Sequence, residues 1–180
     1  DHLDVLQFHG GDAATLQNEG LIDLLLEYRS QGIVRQIGAS SSIPELPDLI
    51  ELGVFDTFQI PYSCLAARHH ELIGLAAASG AGIILRGGVA QGGPEAEIQR
   101  PLLNDVWTGA QLAELLPEGM TPATLILRYT LSHPDCHTTI VGTCSPAHLK
   151  ENLAAAAAGA LAPQLVDEVT ERVDAWHKRN

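Results

Sequence analysis

A single histidine, His9, ends the apolar stretch Leu3–Phe8 and is followed by Gly10-Gly11. The stretch carries apolar side chains on both faces of an alternating pattern, which is typical of a buried parallel strand. A histidine at the carboxyl end of such a strand is well placed to do chemistry, because α/β folds build their sites at these ends. Taken alone, His9 fits a packing or capping role better, so its interpretation depends on the rest of the chain.

Two consecutive loops further along the chain have the composition of an anion site. Gly87-Gly88 and Gly92-Gly93 flank one loop, and glycine lets a ligand approach the main chain closely. Thr143-Cys144-Ser145-Pro146 leads directly into a predicted helix, whose free amide groups and dipole favour an anion such as phosphate. The alternative is a flexible loop followed by an ordinary Ser-Pro helix cap.

Small polar residues also end the second and third predicted strands. Ser40 and Ser41 follow the second strand, and Gln59 lies near the end of the third. In a barrel the carboxyl ends of all strands converge on one mouth, so these side chains would face the same site as His9.

The remaining histidine-rich stretches are predicted to be structural. The stretch 133–137 (HPDCH) resembles a metal site, but it precedes a strand and so lies at the opposite end from the mouth. A capping turn is therefore predicted there, and no metal site is predicted in the chain. The pair His69-His70 is predicted to start a helix in solvent.

Strands and helices alternate along the whole chain. Strands are predicted at 3–8, 33–38, 55–60, 82–86 and 138–142. Helices are predicted at 14–30, 42–53 with Ser42 as N-cap, 66–79, 109–116, 121–131, 145–159 and from 163 onward, with 94–108 irregular. This order predicts an α/β fold with a parallel sheet in one domain over residues 1–180, either open and doubly wound or part of a closed barrel.

The composition indicates which binding partners and which cellular compartment to expect. The 180 residues have a formal net charge of -12, which disfavours nucleic acid and anionic membrane as partners. The three cysteines are an odd number without zinc-type spacing, and no secretory or membrane-spanning stretch is present, so a cytoplasmic location is predicted. The chain starts at Asp1 without Met, and a full barrel needs about 250 residues, so a piece of a larger protein is expected.

Five motifs in the expected order resemble the aldo-keto reductase family. They are Leu6–Gly10, Gly32–Ser41, Phe58–Ser63, Ile83–Arg86 with its glycine loop, and Val141–Pro146 continuing to Glu151-Asn152-Leu153. The resemblance implies the C-terminal part of a TIM (β/α)8 barrel, strands four to eight. It also implies a nicotinamide-dependent oxidoreductase, using NADP(H) or NAD(H), that interconverts a small carbonyl compound or sugar and an alcohol.

The resemblance also implies a role for each candidate residue. His9 would be the active-site histidine, and Ser40, Ser41 and Gln59 would hold the nicotinamide carboxamide. Arg86 stands where some members stack an aromatic ring on the nicotinamide. The remaining cofactor residues are assigned to the pyrophosphate (Gly87, Gly88 and Val89) and to the adenosine end (Gly142, Thr143, Ser145, His148, Glu151 and Asn152).

Several departures from the family pattern qualify the expected activity. Ser41 replaces the usual Asn, and Gly142 and His148 stand where members selective for the 2′-phosphate often carry Lys and Arg, which leaves the choice between NADPH and NADH open. The family's catalytic Tyr, Asp and Lys belong to strands one to three, which have no match here. The isolated chain is therefore expected to be inactive and to self-associate through unpaired strand edges. Two alternatives are a non-catalytic cofactor-binding regulatory subunit and an inactive, self-associating half-barrel.

Overall fold

The computed structural model describes residues 1–95 and 101–180 and divides the chain into two compact units. The first unit consists of Asp1–Pro61 and His69–Ile84, and the second of Tyr62–Arg68 and Leu85–Asn180. The single domain predicted from the sequence stays a prediction. Part of the segment predicted to be irregular, residues 96–100, lies outside the described residues.

All five predicted strands are present and lie in one sheet in chain order. They are β1 (Leu3–His9), β2 (Val34–Ser40), β3 (Thr57–Pro61), β4 (Gly82–Arg86) and β5 (Thr138–Ile140). The helices are α1 (Ala13–Asn18), α2 (Leu21–Ser30), α3 (Leu46–Glu51), α4 (His70–Ala78), α5 (Pro101–Gly109), α6 (Pro122–Leu131), α7 (Pro146–Ala158) and α8 (Pro163–His177).

The first unit packs one face of its sheet against its helices. β1 pairs in parallel with β2, and β2 with β3, so that alternate residues of all three strands share a face. Asp56, just before β3, ties α2 to the sheet: its Oδ2 accepts hydrogen bonds from Arg29 Nη1 and from the Ile37 amide, both at 2.9 Å. The largest fully buried side chains of this core are Ile37, Leu46, Leu49, Phe58, Ile60, Ile73 and Ile83.

The prediction that β1 is buried on both faces is wrong. Leu3 and Val5 are 51% and 43% exposed, although the strand forms as predicted. The reason is position: β1 is the first strand in the sheet order and pairs with β2 alone among the described residues. An apolar alternation shows which side chains can be buried, but the neighbours that would cover them are not visible in a local pattern.

Three helix boundaries of the first unit differ from the sequence predictions. The predicted helix 14–30 is interrupted at Gly20, whose φ of 69° is left-handed and separates α1 from α2. α3 begins at Leu46 instead of near Ser42, because the Ser42 hydroxyl donates to the Ile43 carbonyl at 3.3 Å and so does not cap a helix, although the Ser42 carbonyl accepts the Leu46 amide at 2.9 Å. α4 begins at His70, and His69 is buried rather than in solvent, with its Nε2 accepting the Ile43 amide at 3.2 Å.

The second unit contains the helices of the C-terminal half. α6, α7 and α8 lie where they were predicted. Within the stretch predicted to be irregular, α5 forms and buries Val106 and Trp107, whereas the predicted helix 109–116 is only a short 3₁₀ turn at Leu112–Leu115. At the end of α5, Gly109 gives room to the Trp176 indole, since a Cβ there would lie 2.0 Å from Trp176 Nε1.

Among residues 1–95 and 101–180, none of the helices combines the length and the apolar character needed to cross a bilayer.

Candidate active site

A row of three polar residues crosses the first unit at the carboxyl ends of its strands. His9 on β1 is in register with Ser40 on β2, and Ser40 is in register with Gln59 on β3. The Gly10 amide donates to the Ser40 carbonyl at 3.0 Å, which holds the end of β1 against β2. His9 is exposed and Ser40 is buried, so the imidazole is the accessible end of the row.

Ser40 and Gln59 are joined through their side chains. Gln59 Nε2 donates to Ser40 Oγ at 3.1 Å, and the backbone carbonyl of Gln59 accepts the Ser41 amide at 3.1 Å. The side-chain bond uses one amide hydrogen of Gln59 and one lone pair of Ser40. The pair can therefore still offer an acceptor, Gln59 Oε1, and a donor, the Ser40 hydroxyl, side by side.

A second row lies two residues earlier on the same face and was missed by sequence reasoning. Gln7 lies on β1 and Thr57 on β3, with Gly38 of β2 in register between them. Gln7 Nε2 donates to Thr57 Oγ1 at 3.1 Å, and a Cβ on Gly38 would lie only 2.1 Å from that same oxygen. A glycine inside a strand was the available signal, because it marks a close approach over the backbone.

In the second unit, the glycine loop follows β4 as predicted. Gly87 has a left-handed φ of 73°, and a Cβ on Gly88 would lie 2.6 Å from Thr139 Oγ1. The Gly88 carbonyl accepts the Thr130 hydroxyl at 3.1 Å, and Val89 is half-buried within the turn. Just before the loop, Arg86 Nε is buried and has no hydrogen-bond partner among the described residues.

The start of α7 has the predicted cap. Ser145 Oγ accepts the His148 amide at 3.3 Å, and Thr143 Oγ1 accepts the Ser145 amide at 3.1 Å. Gly142, Thr143 and His148 are exposed around this helix start. The Ser145 oxygen therefore caps the helix, while the hydroxyl hydrogens of Thr143 and Ser145 can still be donated to a ligand.

One turn further along α7, Glu151 makes a contact that sequence reasoning missed. Its Oε1 accepts the hydroxyls of Thr121 and of Thr124, the latter at 3.2 Å. Thr121 was predicted only as the start of a helix. Glu151 and its neighbour Asn152 are both half-buried.

The predicted site residues thus fall into two groups, one in each compact unit. The first group contains His9, Ser40, Ser41 and Gln59, which the pairing of β1, β2 and β3 brings together. The second group contains Arg86, Gly87, Gly88 and Val89 after β4, and Gly142, Thr143, Ser145, His148, Glu151 and Asn152 around the start of α7.

Two tyrosines of the second unit are structural. Tyr62 and Tyr129 stack with ring centroids 6.2 Å apart, and the Tyr129 hydroxyl shares a 2.8 Å hydrogen bond with Thr170 Oγ1. Burial raises the pKa of both phenols above the usual value, because the charged form would lose its hydration. His133 contacts the Tyr62 ring edge-on, and its Nδ1 accepts the Asp135 amide at 3.1 Å, which makes the histidine part of a turn as predicted.

A match to a protein-family model shows which family this chain belongs to. The model of the Aldo/keto reductase family matches residues 1–175. The chain belongs to this family. No curated protein sequence matches it.

Solved aldo-keto reductases share its fold over only part of their own length. The holo form of aldo-keto reductase AKR11C1 from Bacillus halodurans is 26% identical, with a TM-score of 0.80, over 96% of this chain and 61% of that one. Glycerol dehydrogenase AKR11B4 from Gluconobacter oxydans is 17% identical, with a TM-score of 0.72, over 99% of this chain and 59% of that one. A Klebsiella pneumoniae aldo/keto reductase, solved with NADP and acetate, is 21% identical, with a TM-score of 0.67, over 95% of this chain and 59% of that one.

The predicted fold class is confirmed: the chain is a parallel α/β fold that matches part of an aldo-keto reductase (β/α)8 barrel. It spans about three fifths of the length of the solved reductases that it matches. The assignment of its strands to positions four to eight of such a barrel stays a prediction.

Proposed function

We propose that this chain forms the nicotinamide-dinucleotide-binding part of an NAD(P)H-dependent oxidoreductase that interconverts an aldehyde, ketone or sugar carbonyl and an alcohol. The observation that carries the proposal is the row of His9, Ser40 and Gln59 at the carboxyl ends of three paired strands, in a chain of this family. The Klebsiella pneumoniae relatives solved with NADP and with NADPH support the choice of cofactor.

The chemistry of the Ser40–Gln59 pair fits the nicotinamide carboxamide. A primary amide presents one acceptor oxygen and two donor hydrogens, and the pair offers the matching donor and acceptor, the Ser40 hydroxyl and Gln59 Oε1. Ser41, whose amide is anchored to the Gln59 carbonyl, is the third residue that we assign to this end. These contacts would fix which face of the ring is presented to the substrate.

The second unit fits the phosphate and adenosine part of the cofactor. The left-handed, exposed Gly87 would offer main chain to the pyrophosphate, with the buried, tightly packed Gly88 and the half-buried Val89 completing the turn. Arg86 Nε, a buried donor without a partner among the described residues, suits a phosphate oxygen. Gly142, Thr143, Ser145, His148, Glu151 and Asn152 are assigned to the adenosine end, where Ser145 starts a helix whose dipole favours an anion.

The bound nicotinamide would supply or accept the hydride at the carbonyl carbon. His9, exposed at the end of its row, would donate a hydrogen bond to the carbonyl oxygen and orient it. The family's proton-transferring tyrosine has no counterpart in Tyr62 or Tyr129, whose rings are buried in a stack. We therefore expect this chain alone to bind cofactor without turning over a carbonyl substrate. We also propose a cytoplasmic location, because nicotinamide cofactors are available there.

The first test is a titration of the chain with NADH and NADPH, following the nicotinamide fluorescence. We expect saturable binding, and a weaker complex when Ser40→Ala and Gln59→Ala are combined, because both carboxamide partners are then lost. Circular dichroism of the variant checks that the strands remain. A folded wild-type chain that binds neither cofactor would contradict the proposal.

A further inference from the structure

The carboxylate of Glu151 is fixed by the start of another helix. Thr121 is the N-cap of α6, and its Oγ1 accepts the Thr124 amide at 3.2 Å. The hydrogen of the same hydroxyl is directed to Glu151 Oε1, which also accepts the Thr124 hydroxyl at 3.2 Å. Two threonines of one helix start, three residues apart in the chain, therefore converge on a single oxygen atom.

This geometry separates the two oxygens of the carboxylate. Oε1 takes both threonine hydroxyls, and the four lone-pair sites of a carboxylate leave Oε2 able to accept from another donor. The carboxylate also lies at the positive end of α6, where the field of the helix favours a negative charge. Glu151 itself belongs to α7, so the contact holds a side chain of α7 in one orientation.

We propose that Thr121 and Thr124 are positioning residues for nucleotide recognition: by holding Oε1 of Glu151, they present Oε2 to the exocyclic amine of a purine base. This inference rests on the proposed function, which assigns Glu151 to the adenosine end of the cofactor. It adds two residues of α6 to the binding site, although neither was a candidate from the sequence.

Substitutions can separate the role of the threonines at the start of α6 from their role in orienting the Glu151 carboxylate. Thr124→Val removes only the hydroxyl that reaches Glu151, because the Thr124 amide remains to be capped by Thr121. Thr121→Asp keeps a good N-cap but offers no hydrogen to Glu151 and adds a repelling charge. Thr121→Ser retains both the cap and the donor and should rescue binding. Thr108→Val, on the exposed face of α5, is the matched control for a lost hydroxyl.

The test measures the affinity of the chain for AMP, for nicotinamide mononucleotide and for NADH. We expect Thr124→Val and Thr121→Asp to weaken AMP and NADH binding by about threefold to tenfold, the worth of one well-placed hydrogen bond. Binding of nicotinamide mononucleotide should stay unchanged, as should all affinities of Thr108→Val. In a Glu151→Ala background, Thr124→Val should have no further effect on AMP binding.

The outcomes distinguish this inference from the proposed function. Unchanged or tighter AMP binding in Thr124→Val, with the wild type binding AMP and NADH, would overturn the positioning role and leave the proposed function standing. An equal loss of affinity in the Glu151→Ala background would also overturn it, since the threonine would then act without Glu151. A folded wild-type chain that binds neither AMP nor NADH would overturn both.

Discussion

The side chains of Gln7 and Thr57 are hydrogen-bonded at 3.1 Å across the strand that separates them. They can meet because the residue between them, Gly38, has no side chain. The row of His9, Ser40 and Gln59 lies two residues further along the same three strands. The Gln7–Thr57 bond thus links β1 to β3 directly beneath the candidate site.

The first prediction concerns this crossing. Gly38→Ala places a Cβ 2.1 Å from Thr57 Oγ1 and 2.6 Å from the Thr57 carbonyl oxygen, and the second contact is with backbone that cannot simply rotate away. We expect a loss of about 1–3 kcal/mol in the free energy of unfolding, measured by urea denaturation followed by circular dichroism.

Gly82→Ala on β4 is the matched control. The nearest atom to a Cβ there is Thr57 Cγ2 at 3.5 Å, an ordinary contact. Equal stability of the two variants would show that the strands can part around Gly38 at no cost, contrary to the role given to that glycine.

The second prediction separates binding from catalysis in the first unit. Gln59→Ala should raise the Kd for NADH about threefold to tenfold, because a carboxamide partner is lost. His9→Asn should leave the Kd nearly unchanged, because His9 is assigned to the substrate carbonyl. Fluorescence titration of the two variants beside the wild type measures both effects. If His9→Asn lost affinity as strongly as Gln59→Ala, the imidazole would belong to the cofactor site instead.

The third prediction concerns the 2′-phosphate. Gly142 and His148 are exposed near the start of α7 and provide no permanent positive charge for it. His148→Arg should tighten NADPH binding several-fold and leave NADH binding unchanged, and the gain should shrink as salt is added. Arg at the exposed residue Ala147 is the control for charge alone. An equal gain for both cofactors would indicate general attraction to the added charge and no site for the 2′-phosphate.

The fourth prediction concerns alkaline pH. Burial raises the pKa of the Cys64 thiol from 9.0 to about 12, and it also raises the pKa of the Tyr62 and Tyr129 phenols. The native state therefore retains protons that the unfolded chain loses, so stability is full below about pH 9 and falls as the pH rises above it. Urea midpoints from about pH 8 to about pH 11 measure the decline.

A matched variant tests which group starts that decline. Burial also raises the pKa of the Cys136 thiol, so Cys64→Ala alone should make the decline above about pH 9 shallower; with Cys136→Ala added, stability should begin to fall only near the ordinary phenol pKa of 10.0. At about pH 8, a thiol reagent should modify the exposed Cys144 in the native protein and Cys64 only after unfolding. A midpoint that is constant across this pH range would contradict the buried, neutral state of these side chains.

The sequence was sufficient to predict the strands and most helices, because each has a strong period or a capping signal of its own. Ser145 as N-cap and Pro122 at the first turn of α6 are examples. It failed where contacts distant in the chain decide, because His69 is buried against Ile43 and the exposure of Leu3 and Val5 depends on the strands that flank β1. It also failed at Ser42, whose hydroxyl bonds to the adjacent Ile43 carbonyl.

The candidate site likewise has a part that the sequence could predict and a part that it could not. The register that aligns His9, Ser40 and Gln59 follows from parallel strands whose polar residues lie at their carboxyl ends, so the alignment could be anticipated. The crossing over Gly38 and the link from Thr121 to Glu151 join residues 50 and 30 positions apart, and no local pattern encodes such pairs.

Both tryptophans of the chain, Trp107 and Trp176, belong to the second compact unit, one buried in α5 and the other against Gly109. Intrinsic tryptophan emission is therefore a reporter of that unit alone, and it would not register the opening of the three strands that carry His9, Ser40 and Gln59. If the tryptophan emission and the circular dichroism signal changed at different urea concentrations, the two units would unfold one after the other. Coincident curves would show that the chain unfolds as a single cooperative block.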